Sequence, residues 1–203
     1  MECLTNSITV RGSLQALPQL SHENHGKRFY SFTLEVPRLS GAVDLLPVIA
    51  EEALVQGLDP CGGEMIRLSG QIRSHNQRTE AGRRLLIFIF ATELCAEDGE
   101  PINEVILEGP LCREPTFRRT PLGREICDVM LAVPRAFRRA DYLPCILWGR
   151  TAQEAAACHT RDCLRIYGRL QSRIYTKLLP EGAIERTAYE ISALTAEVED
   201  DSN

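Results

Sequence analysis

Along residues 141–148 apolar and polar positions alternate with a period of two. Leu143, Cys145 and Leu147 fall on one side of an extended segment, and Tyr142, Pro144, Ile146 and Trp148 on the other. One side reads as core; the other carries two rings. A second alternation follows at 164–175, where Leu164, Ile166, Leu170 and Ile174 share one face and Arg165, Tyr167, Arg169, Gln171, Arg173 and Tyr175 share the opposite one. Between Arg135 and the first of these segments, Phe137, Arg138 and Arg139 read as a connecting loop. Flat rings and positive charge are thus predicted to meet on one surface.

The same pattern predicts strands at 103–112, 124–134, 142–149, 163–175 and 187–198. Thr120-Pro-Leu-Gly123 supplies the turn between the first two. Residues 151–158, rich in Ala, predict a short helix capped by Thr151. The first half repeats the plan. Asn6–Leu14 returns as Asn103–Leu111, Leu34–Arg38 as Leu131–Arg135, and Asp44–Ile49 as Asp141–Ile146, all at an offset of 97; Ile66–Gly70 returns as Leu164–Gly168 with one extra residue. Residues 50–56, closed by Gly57, match the helix. The chain therefore reads as two copies of one domain, 1–100 and 101–198, with a short acidic tail at 199–203. Five strands with a helix after the third is the plan of an OB-fold, so an all-β pair of tandem five-stranded Greek-key barrels is predicted. Gly12, Gly70, Gly109 and Gly168 stand where such small barrels close.

Asn103-x-Val-x-Leu-x-Gly-x-Leu111, Pro115, Thr120-Pro-x-Gly123, Leu131-Ala-Val-x-Arg135, Trp148-Gly-Arg-x-Ala152, Gly168–Arg173 and Tyr189-Glu190 together resemble the bacterial single-stranded DNA-binding protein family over nearly all of 103–198. The resemblance implies that rings stack on bases from the loop after the second strand, both ends of the third strand and the hairpin after the fourth. By position these are Phe137, Tyr142, Trp148 and Tyr175. The residues themselves point the same way: Arg135, Arg138, Arg139, Arg165, Arg169 and Arg173 are placed to track phosphates, with Tyr167 as a further ring. The plainer alternative is a solvated strand face, since rings and arginines favour such faces too.

The first copy differs at the outward positions. Leu45, Glu51 and Ser40 stand where the second copy has Tyr142, Trp148 and Phe137. A carboxylate there repels phosphate, so this copy is expected to bind weakly or not at all by that surface and to serve assembly. Arg67, Arg73, Arg78, Arg83 and Arg84 leave it backbone contacts, while Phe29, Tyr30 and Phe32 are expected in core or interface. Because the family resembled assembles several barrels, a homodimer with four is expected.

Composition narrows the classes. The net charge of −5 is unevenly spread: residues 1–102 carry nine Lys/Arg against thirteen Asp/Glu, and residues 103–198 fourteen against twelve. The basic half is the one with the rings. The longest apolar run, Leu85–Ala91, is too short to span a bilayer, and without a basic, apolar leader the expected location is cytoplasmic and nucleoid-associated, away from membranes. Eight cysteines in a chain of this length read as reduced thiols, Cys127 and Cys145 among them as small core residues. Cys158-His159-x-x-x-Cys163 lacks the paired spacing of a structural zinc site. His22, His25, His75 and His159 fall outside any catalytic motif, and no Walker-type phosphate loop is present. No enzyme, metal or cofactor is expected. The tail Glu197–Asn203 lacks the Pro-Phe tip that recruits replication and repair proteins in the family resembled, and reads as a solvated end. The expected partner is single-stranded DNA, with replication or recombination proteins as further candidates. The alternatives are a protein-interaction module of a replication-restart or mobile-element system, and an RNA binder on the same fold.

Overall fold

The computed structural model describes residues 6–58, 63–79, 82–179 and 182–199. The first copy contains β1 (Asn6–Leu14), β2 (Gln19–Asn24), β3 (Lys27–Pro37), β4 (Val43–Glu51), the single turn α1 (Glu52–Val55), β5 (Met65–Thr79) and β6 (Gly82–Ala96). The second contains β7 (Ile102–Pro110), β8 (Thr116–Arg119), β9 (Glu125–Arg135), a 3-10 turn (Ala136–Arg138), β10 (Arg139–Trp148), α2 (Gly149–Ala155), β11 (Cys163–Leu179) and β12 (Gly182–Glu199). The tail residues 200–203 lie outside the described residues.

Each copy is an OB-fold barrel, with β2 and β8 as a short extra strand hydrogen-bonded to the edge of the five expected ones. Period-two burial builds the core: Leu34, Leu46, Val48, Ile66 and Ile89 fill the first barrel, and Leu131, Leu143, Leu147, Ile166 and Ile191 the second. The barrels close where β1 pairs β3 at Ser13↔Glu35 and where Leu111 bridges Leu131. A β-carbon at Gly109 would lie 2.8 Å from the Ala132 carbonyl oxygen, so the closing strands pass too near for any side chain.

Two details differ from the sequence reading. Thr151 is inside α2, whose first turn starts at Gly149, and no side chain caps it. The positive φ of Gly149 (+56°) lets the chain turn directly from β10 into the helix. Ile174, expected in the core, is exposed, because the β11–β12 hairpin runs on past the barrel.

The copies join through β1 and β7, which pair antiparallel so that Ile8 faces Val105, its own equivalent in the repeat. One sheet of twelve strands results, in the order β2-β3-β4-β6-β5-β1-β7-β11-β12-β10-β9-β8. Each barrel's long hairpin also reaches the other barrel. The buried Asp44 carboxylate accepts from the Ser172 amide at 2.6 Å and from Arg38 Nε at 2.7 Å, while the Leu45 amide donates to Ser172 Oγ at 3.1 Å. At the corresponding place, the buried Asp141 accepts from the Ser74 amide at 2.7 Å and from Arg73 Nη1 at 3.1 Å, and the Tyr142 amide donates to Ser74 Oγ at 2.7 Å.

Candidate nucleic-acid interface

The outward strip of the second barrel runs across β9, β10 and β12. On β10 the expected alternation holds: Leu143, Cys145 and Leu147 are buried, while Tyr142 and Trp148 are 45% and 37% exposed. Ile146 is the exception on that face. It is covered where β10 lies parallel to β12, opposite Ser192. Trp148 Nε1 donates to Ser192 Oγ at 3.2 Å, which fixes the indole edge while leaving a ring face open.

Phe137 stands on the 3-10 turn at the other end of β10 and is 94% exposed. Arg138 and Arg139 follow it, are exposed, and make no ion pair among the described residues. Arg135 leans on Asp141 at 3.4 Å and keeps part of its guanidinium open. Tyr175, 38% exposed, sits on the β11–β12 hairpin with Arg173, whose nearest carboxylate, Glu190, is 4.0 Å away.

The stripe expected along β11 is divided by what the strand pairs with. Arg165 and Tyr167 lie where β11 pairs β7, in the middle of the twelve-stranded sheet, and Arg165 is bound to Glu108 at 2.9 Å. They are not brought together with Trp148. Arg169 and Gln171 are: with Trp148, Arg124, Ser192 and Arg38 they line a cleft of about 460 Å³. Arg124 follows the Thr120–Gly123 turn, and its proximity was hidden because turn and indole meet only through β9–β10 pairing. Arg38 comes from the first barrel. Its guanidinium is committed to Asp44, a hydrogen bond that raises its pKa further above the ordinary arginine value.

In the first barrel Glu51 occupies the place of Trp148, and its carboxylate is bound by Lys27 Nζ at 2.9 Å. Phe32 is in the core as expected. Phe29 faces outward and stacks with His22, their ring centroids 4.9 Å apart. Among the described residues no group of three or more His, Cys, Asp or Glu side chains is placed to hold a metal ion, and no helix is long and apolar enough to cross a membrane.

Two fused five-stranded barrels, one with rings and arginines along its outward strip, define a tandem OB-fold protein. A model of the single-strand binding protein family matches residues 102–198. Single-stranded DNA-binding protein B of Bacillus subtilis (strain 168) is 38% identical over 80 residues, which cover 36% of this chain and 71% of that protein. The chain belongs to the single-strand binding protein family. A single-stranded DNA-binding protein of Bacillus cereus is 38% identical over 81 residues, and there the chain spans about half the relative's length, 48%. The wild-type single-stranded DNA binding protein from Thermus aquaticus superimposes with a TM-score of 0.79 at 22% identity, covering 98% of this chain and 94% of that one. That likeness extends the shared fold over both barrels.

Proposed function

We propose that the chain binds single-stranded DNA, tolerant of sequence, along the outward strip of the second barrel. Phe137, Tyr142, Trp148 and Tyr175 stack on bases, while Arg138, Arg139, Arg169 and Arg173 hold phosphates and Arg135 assists. The observation that carries this is the pair of open rings at the two ends of β10 beside unpaired arginines, in a member of this family. Arg165 and Tyr167, set over β7, play a lesser part than the sequence stripe implied. The role follows from the chemistry: covering exposed strands during replication, recombination or repair. The first barrel serves assembly, and two chains form a homodimer of four barrels, which light scattering tests directly.

Trp148 is the chain's one tryptophan. Adding oligo-dT is expected to quench its emission, with affinity falling as salt rises. Tyr142→Ala and Trp148→Ala are each expected to weaken binding by about 1–3 kcal/mol, read by anisotropy of a labelled oligonucleotide. Unchanged emission at low salt overturns the proposal, and competition by oligo-U measures the preference for DNA over RNA.

A further inference from the structure

We propose a second single-stranded DNA contact on the first barrel, built from His22, Phe29 and Phe90. It extends the reading above to a surface that the reading leaves without rings. In the second barrel the rings stand on the central strand of the outward strip, with Ile126 and Ser192 on the flanking strands. The first barrel inverts this. Its central strand carries Leu45 and Glu51, but Phe29 faces Glu51 across β3–β4 just as Ile126 faces Trp148, and Phe90 lies beside Ile49 just as Ser192 lies beside Ile146. The aromatic surface has moved one strand to either side.

The geometry suits stacking. The exposed His22 ring lies parallel to Phe29 within 10°, Phe90 follows at 6.0 Å from Phe29, and the Arg73 guanidinium sits 6.0 Å over Phe90. The exposed His22 ring ends this ladder and can take a base on its outer side, while the Arg73 guanidinium caps the Phe90 end. The carboxylates beside it are neutralised, Glu51 by Lys27 and Glu52 by Arg28, each at 2.9 Å. Repulsion of phosphate, the reason to discount this face from sequence, is therefore largely cancelled. On the same strip a cleft of about 510 Å³, lined in part by Pro47, Ile49, Phe88, Arg84 and Tyr189, is within the usual range for a small-molecule site and has room for a base. Arg73 also donates to Asp141, the residue before Tyr142, so the cation at the end of the ladder is anchored at the barrel junction, beside the strand that carries Tyr142.

The test uses the full chain and fluorescein-labelled oligo-dT of about 8 and about 25 nucleotides, lengths suited to one barrel and to both. His22→Ala, on an exposed edge strand, and Phe29→Leu are expected to leave binding of the short oligonucleotide unchanged and to weaken the long one about tenfold. Phe90→Leu is read the same way, with the unfolding midpoint followed by circular dichroism to certify the fold. Equal loss for both lengths, or none for either, overturns the proposal. Loss of the second-barrel reading shows separately, as an unchanged short-oligonucleotide affinity in Tyr142→Ala and Trp148→Ala.

Discussion

Phe137 and Arg138 hold φ angles of +61° and +56°, in the left-handed region that side chains with a β-carbon avoid. Such strain costs on the order of 1–3 kcal/mol per residue and persists where the surroundings impose it. Here it lifts Phe137 clear of the barrel, with Arg138 and Arg139 directly after it. Asparagine tolerates this backbone better, so Arg138→Asn is expected to raise the melting temperature by about 2–4 °C. It should also weaken DNA binding and reduce the salt dependence by about 0.7 in log–log slope, the signature of one lost phosphate contact. Calorimetry and a salt titration check the two halves. The thiols behave differently. Burial pushes Cys127, Cys145 and Cys158 above the ordinary thiol value of 9.0 and keeps them protonated, whereas Cys95 and Cys112 are exposed. Of the six described cysteines, alkylation followed by mass spectrometry should mark Cys95 and Cys112 first. Since the unfolded chain loses these protons near pH 9.0 and the folded chain retains them, the buried thiols' share of stability is complete below that pH and declines above it.

At the scale of elements, the long hairpins matter most. Asp141 is fully buried and receives Arg73, Arg135 and the Ser74 amide, two of these from the other barrel. Asp141→Ala leaves two guanidinium groups facing each other without a counter-charge and is expected to cost about 3–5 kcal/mol in urea unfolding. Ser74→Ala removes only the acceptor of the Tyr142 amide, about 1 kcal/mol. Because that bond fixes the strand carrying Tyr142, the same variant should also weaken oligonucleotide binding. The repeat showed Asp44 and Asp141 in equivalent places, and so marked both positions, but their role depends on the other barrel's hairpin and no local pattern carries it. β10 was legible because one face is buried and the other open over its whole length. β11 was only half legible: its alternation is real, yet β7 covers one end and the other projects into solvent, so Arg165 and Arg173 share a face without sharing surroundings. β2 and β8 were missed because Gln19–Asn24 and Thr116–Arg119 are exposed at every position and leave no period-two signal. Phe29 and Phe90 were missed as a pair because they come together across β4, which only the sheet order reveals.

The whole molecule is held by one continuous sheet, and this sets how it unfolds. Asn6 continues the β1–β5 ladder with its side chain, donating to the Ile72 carbonyl at 2.7 Å and accepting from the Ile72 amide at 2.8 Å; Asn103 repeats the arrangement with Leu170. Asn6→Ala leaves both Ile72 groups unpaired and is expected to cost about 1–3 kcal/mol. Trp148 reports only on the second barrel, so a matching shift of its fluorescence midpoint and of the circular dichroism midpoint would show the barrels melting as one unit. A shift in circular dichroism alone would show that they melt apart.

The pairing of β1 with β7 joins two different sequences. In an assembly of identical subunits, each mutation is copied into every position related by symmetry, so a change that improves one surface must be tolerated on its twin. Here the gene encodes each half separately, and the covalent link keeps the halves together at any dilution. Glu51 and Trp148 can thus occupy corresponding sites in one molecule, and selection can reshape either barrel while leaving the other untouched.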